Sequence, residues 1–111
     1  MINKIFSERI LWILQRASAL FNLLIIVYIF STLKLSIITD YSQILFWLNQ
    51  NFNKFIIFIL FVSVAGHASF GVSVVLHDYI HDKKIKNILL ISKNLLVVIF
   101  WFFSGICLYF I

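Results

Sequence analysis

Apolar positions fall into three long runs, separated by two stretches in which amides and charges collect. The first run extends from about Leu11 to Leu33, the second from Phe55 to about Leu76, and the third from Asn87 or Ile88 to Ile111. Each is long enough to cross a bilayer, for which about 20 predominantly apolar residues suffice. Proline is absent and only three glycines occur, so helix breakers are scarce. Backbone amides in hydrocarbon must pair within their own segment, which leaves helices as the spanning structure. The expectation is an all-α membrane protein of one domain with three transmembrane helices, spans about 11–33, 55–76 and 88–111.

The interruptions refine this picture. Gln15 and Arg16 sit about one turn inside the first span. The connection from Lys34 to Lys54 is rich in amides but contains the apolar patch Ile44 to Leu48 with Trp47. An aromatic patch flanked by amides suits the headgroup layer, which predicts a short interfacial helix there. Ala65, Ser69 and Ser73 recur at four-residue spacing in the second span, a row of small residues that lets a neighbouring helix approach. His77 to Lys86 reads as a charged turn, and Lys93 and Asn94, one to two turns into the third span, are expected to snorkel toward the near surface.

Composition agrees: 63% of the 111 residues are hydrophobic and 12% charged, and a mean hydropathy of +1.07 is more than a soluble core of this size can hide. The net charge of +5 comes from residues scattered at helix ends, with no basic stripe that would suit nucleic acid. Counted by side, Lys4, Arg9, Arg16, Lys83, Lys84, Lys86 and Lys93 face Lys34 and Lys54, seven against two. The positive-inside rule then puts the N-terminus inside, in matrix or cytoplasm, and the C-terminus outside. Arg16 and the pair Asp78-Tyr79 fall on the same side of the membrane. The lone Cys107 can form neither a disulfide nor a cysteine metal site within the chain and is expected to be a small buried hydrophobe. The N-terminal run passes signal-peptide length without a small-residue cleavage motif, so no cleaved targeting segment is expected.

Candidate chemistry concentrates between Gly66 and Asp82. His67 lies nine residues before Leu76, roughly 13 Å below the membrane edge. An ionisable ring at that depth needs a strong partner. Axial ligation of haem iron is one solution, and Gly71, four residues on and lacking a Cβ, leaves room on the same face for a flat macrocycle. An interhelical hydrogen bond, with Gly71 merely allowing close packing, is the other. A second histidine ligand would have to come from another chain or a second copy, because His77 and His81 fall at the interface. Asp78 and Tyr79 stand where a phenol could donate to a quinone carbonyl arriving through lipid, or where Tyr79 simply anchors the helix end. Arg16 could grip an anionic group such as a haem propionate, or a phospholipid phosphate. His77, His81 and Asp82 have the residue types of a metal site in a weak arrangement.

Taken together, Gln15-Arg16 with Ala17-Ser18-Ala19, then His67, Gly71 and Asp78-Tyr79 at their spacings, resemble the small hydrophobic membrane-anchor subunits of succinate dehydrogenase, respiratory complex II, of the D type. The resemblance covers essentially the whole length. It implies an anchor that packs with a sister C-type subunit and tethers the iron–sulfur and flavoprotein subunits. By the same resemblance His67 is a haem b axial ligand, Arg16 lies near the haem propionates, Gly71 packs on the haem, Tyr79 hydrogen-bonds ubiquinone, and Asp78 is its acidic neighbour. No catalytic residue is assigned: succinate oxidation belongs to another polypeptide, and this chain supplies one wall of the ubiquinone site. The abundance of Ile, Phe, Asn and Lys suggests an AT-rich genome and favours the mitochondrial inner membrane over a bacterial cytoplasmic membrane. Two other readings accommodate the residues: a structural accessory subunit of a different respiratory complex, and a homodimeric b-type cytochrome with His67 supplied twice.

Overall fold

The computed structural model describes residues 2–34 and 39–111, with side chains from Glu8 onward. Lys4, one of the seven basic residues counted above, and residues 35–38 of the first connection lie outside the described side chains. Among the described residues the regular structure is all helical, in four helices and without strands. Helix α1 is Ile2–Thr32, α2 is Tyr41–Asn49, α3 is Asn51–Tyr79 and α4 is Lys83–Phe110. Three stretches are long and apolar enough to cross a membrane: Glu8–Thr32, Asn51–Tyr79 and Lys83–Phe110.

A short helix does occupy the expected stretch, as α2, and Trp47 of its apolar patch is buried. Asp40 starts this helix by accepting hydrogen bonds from the Ser42 amide at 3.0 Å and the Ser42 hydroxyl at 2.8 Å, the role a short acceptor side chain plays at a helix N-terminus. Those two donors stabilise the carboxylate and hold Asp40 below its ordinary pKa. The break between α2 and α3 falls at Gln50, whose backbone is extended. Asn53 holds that corner: its amide donates to the Trp47 carbonyl at 3.0 Å and to the Gln50 side-chain oxygen at 3.2 Å. Its own oxygen accepts from the Tyr28 hydroxyl at 3.1 Å, which ties α1 to the same knot.

At the other end the turn is much shorter than expected. The stretch His77–Lys86 reads as loop in the sequence, yet α3 continues through Tyr79 and α4 begins at Lys83, leaving only Ile80 to Asp82 outside the helices. Asp82 caps α4, accepting from the Lys84 amide at 2.9 Å and the Ile85 amide at 3.4 Å. Charged residues therefore extend both helices past the apolar runs, and the third span starts about one turn earlier than its hydropathy suggests.

Helix α3 is the middle member. Both α1 and α4 pack against it, and among the described residues they do not pack against each other. The apolar core is correspondingly small, with Ile25, Trp47 and Leu108 buried, while most large apolar side chains face outward. That is the expected balance for helices whose solvent is lipid. Cys107 also departs from expectation: it is exposed on α4, because the outer face of that helix has no neighbour within the chain.

Candidate functional site

The first feature is the seam between α1 and α3. Gln15, Ser18 and Asn22 recur at spacings of three and four, so they share one face of α1. This face meets the α3 face that carries His67 and Gly71. The Ser18 hydroxyl donates to the Gln15 carbonyl at 3.0 Å and lies 2.8 Å from His67 Nδ1. The hydroxyl can serve either tautomer of the ring: where its hydrogen stays on the Gln15 carbonyl, Ser18 Oγ accepts from Nδ1–H and Nε2 carries the lone pair. Nε2 has no partner among the described residues, and His67 is only half-buried.

Gly71 faces the same seam, where a Cβ would meet only the Gln15 amide nitrogen, at 3.6 Å. At Gly66, next to the histidine, a Cβ would meet nothing within 4 Å. Asn22 is 8% exposed and its side-chain oxygen has no partner among the described residues. A buried amide oxygen in that state is an unfilled acceptor position on the α1 face.

These observations test the seam as one side of a haem site. A neutral imidazole with Nδ1 held by a fixed acceptor and Nε2 free is the form in which histidine ligates a metal. Of this chain's residues His67 would be the one to hold the iron, supplying a single imidazole nitrogen. His77 lies ten residues further along α3, about 15 Å by helix rise, and both it and His81 are exposed. No second imidazole of this chain stands at the depth of His67.

The second feature is a cleft of about 560 Å³ at the end of the molecule that carries the Lys83–Lys86 cluster. Glu8, Trp12 and Gln15 of α1 line it, together with His77 and Asp78 of α3 and Lys86 of α4. The cleft thus begins where the seam ends, since Gln15 belongs to both. It offers carboxylate, imidazole, amide and ammonium groups around an apolar floor that includes Leu11 and Val74.

The structure brings some expected residues together and separates others. His67 and Gly71 share the seam; Asp78 lines the cleft. Arg16 is at the same end but points out of both, exposed, with its guanidinium 5.0 Å from the centre of the Trp12 ring. Tyr79, next to Asp78, is 76% exposed and is not a wall of the cleft. Asp82 is committed to capping α4, and among the described residues no group of three histidine, cysteine or acidic side chains is assembled to hold a metal ion. Glu8, Trp12, Ser18 and Lys86 are site residues to which the sequence pattern gave no role. The polar stripe Gln15, Ser18, Asn22 on an otherwise apolar helix was the available signal.

These features define an all-helical, multi-pass membrane protein organised around a histidine at membrane depth, with a polar cleft above it. Over residues 4–107 the chain matches the family described as succinate dehydrogenase/fumarate reductase transmembrane subunit. The chain belongs to that family, as the motif resemblance implied, and is accordingly a membrane component of a succinate dehydrogenase or fumarate reductase complex with other subunits. Neither curated proteins nor solved structures gave a match.

Proposed function

We propose that the chain is the D-type anchor of a succinate:ubiquinone oxidoreductase in the mitochondrial inner membrane, with its N-terminus on the matrix side. In this reading it packs with a C-type sister subunit, and together they seat the iron–sulfur and flavoprotein subunits on the basic end. The observation that carries the reading is His67, held through Nδ1 by Ser18 with Nε2 free, inside a chain of this family.

His67 would ligate haem b through Nε2, with the sister subunit supplying the second ligand. When bound, haem supplies a one-electron carrier. The open space at Gly66, next to His67, is where a broad ring could approach, and Gly71 would face it only if the Gln15 side chain moved out of the seam. Arg16 is long enough to turn from Trp12 toward an anionic propionate.

The polar cleft above the seam would receive the head of ubiquinone. Reduction to the quinol takes up two electrons and two protons, and the electrons arrive from the partner subunits' redox centres. Ionisable groups of this chain stand around the cleft: Glu8, His77 and Asp78 line it, and the Tyr79 phenol follows Asp78. Asp78 orients the head group, and Tyr79 turns inward to donate a hydrogen bond to a quinone oxygen. The isoprenoid tail leaves toward lipid along the apolar helix faces.

Two substitutions in the intact complex test this. His67→Ala should abolish the reduced b-type bands in the optical spectrum. Tyr79→Phe should leave the complex assembled but lower ubiquinone reduction at least tenfold, while succinate oxidation with a soluble acceptor persists. Full b-type bands in the histidine variant remove the ligand, and unchanged quinone reductase activity in Tyr79→Phe removes the phenol from the site.

A further inference from the structure

Lys93 stands on the opposite side of α3 from the histidine seam, and its surroundings raise a separate question. Its ammonium donates to the Ser73 hydroxyl at 2.5 Å and to the Ser69 carbonyl at 3.4 Å. Ser73 is three residues before Leu76, where the apolar run of α3 ends, about 4.5 Å by helix rise. The charge therefore sits just inside the apolar run, within reach of the headgroup layer, where an ionised side chain is expected to have a partner.

The chain supplies no counter-charge. Its four acidic residues are Glu8, Asp40, Asp78 and Asp82. Glu8 and Asp78 line the cleft beside α1. Asp40 and Asp82 cap helices α2 and α4. An ammonium has three hydrogens, and two are used, so one donor and a full positive charge remain for something outside the chain.

What lies beside Lys93 indicates the chemistry of the occupant. A groove of about 590 Å³ runs between α3 and α4, walled by Ala65, Ala68 and Val72 on one side and by Leu89, Leu96 and Val97 on the other. Its walls are almost wholly apolar apart from Lys93 and neighbouring serines. The two helices are already in contact at both ends of the groove, through Lys93 and Ser73 and through the edge-to-face rings of Phe61 and Phe100. A transmembrane helix, about 10 Å across, would lie over such a groove rather than in it. A single hydrocarbon chain can enter. The same end of α4 carries Lys83, Lys84 and Lys86, and basic clusters between helices on the inner face draw anionic lipid head groups.

We propose that the α3–α4 groove is a binding site for an anionic phospholipid of the adjoining leaflet, with one acyl chain between Ala68 and Leu96 and the anionic glycerophosphate end on Lys93. Ser69 and Ser73 hold the ammonium in place for it. Small side chains at Ala65 and Ala68 are then required by the chain's passage, not by helix packing. The inference stands on the membrane topology and this groove and does not depend on the redox reading above.

The test uses the intact complex, purified in mild detergent from one membrane source as wild type, Lys93→Gln, Lys93→Arg and Ala68→Trp. Retained lipid is identified and quantified by native mass spectrometry after a wash series with phosphatidylglycerol competing against phosphatidylcholine. Wild type and Lys93→Arg should keep phosphatidylglycerol through the wash. Lys93→Gln should retain about fivefold less, what one lysine's attraction to an anionic lipid is worth. Ala68→Trp, which fills the groove and leaves the charge, should lose it too, so that an assembly defect from the lysine change alone cannot decide the result. Equal retention in all four proteins overturns the proposal, as does equal retention of phosphatidylcholine, or a protein carboxylate cross-linked to Lys93 in place of lipid.

Discussion

Replacing Ser18 by Ala removes a single oxygen atom from the α1–α3 seam, and the size of the effect distinguishes two roles for it. If the Ser18–His67 contact of 2.8 Å only holds two helices together, its loss is worth what interhelical hydrogen bonds in membranes usually contribute, about 0.6 kcal/mol and at most about 1.7. Nothing else about His67 should change. If Ser18 fixes the ring with its proton on Nδ1, Nε2 loses its assigned orientation and some basicity when the acceptor goes. Groups that hold a ligating histidine in this way typically matter by about 10–100-fold in affinity, roughly 1.4–2.7 kcal/mol. The sign of a second effect also follows. Without an acceptor on Nδ1–H the imidazole donates less charge to ferric iron, so the oxidised state is less stabilised and the midpoint potential rises. The experiment compares wild type, Ser18→Ala and Ser18→Thr in the purified complex for haem per flavin, the reduced-minus-oxidised spectrum and the potential. Ser18→Ala should lose haem on washing and titrate at a higher potential, and Ser18→Thr, which keeps the hydroxyl, should restore both. A Ser18→Ala complex with full haem and an unmoved potential would refute the tautomer argument while leaving His67→Ala free to show whether the ligand assignment itself stands.

Two further outcomes concern the opposite end of the molecule. Asn53, 4% exposed, satisfies Tyr28, Trp47 and Gln50 together, and Asn53→Ala strands a buried carbonyl and a phenol; thermal unfolding of the complex should show a loss of about 1–3 kcal/mol, and an unchanged melt would mean that water or lipid groups substitute for the amide. For Asp40, the Ser42 hydroxyl and amide depress the folded-state pKa below its ordinary value of 3.8, so the cap is complete above that value and is lost as pH falls through the lower folded one; amide exchange across residues 42–44 should accelerate in that acid window and nowhere above it, whereas protection flat down to the most acidic point would show that the cap does not hold α2.

Hydropathy made the three spans legible because the physical selection is severe: a stretch of 20 apolar residues has few alternatives. It misjudged the ends for a related reason. Hydropathy marks where lipid stops, while a helix stops where its last amides find partners, and at Asp82 those are two different places. His67 was visible as an ionisable residue in an apolar run, whereas Ser18 was not. A serine in a membrane helix ordinarily satisfies itself on a carbonyl one turn back, as Ser31, Ser92 and Ser104 do here. Its second contact depends on two helices crossing in one register, across 49 residues of sequence. Cys107 was misread because burial was inferred from its apolar surroundings, and in a membrane those surroundings are found on the outside as well as within.

The arrangement of the helices explains why the polar residues matter so much. Apolar side chains gain little by leaving lipid for one another, so helix association in a bilayer relies on close packing and polar contacts. Here α1 and α4 each depend on α3, at three levels: Tyr28 with Asn53 at one end, Ser18 with His67 in the interior, and Lys93 with Ser73 toward the other. Sliding α1 by one turn along α3 would break both of its ties at once, and Lys93 sets α4 in the same manner. Two of these three ties leave something unfilled, a ring nitrogen at His67 and a positive charge at Lys93, and they do so on opposite sides of α3. On the readings proposed above, haem at His67 and an anionic lipid at Lys93 would occupy those two positions and so add to the ties between the helices.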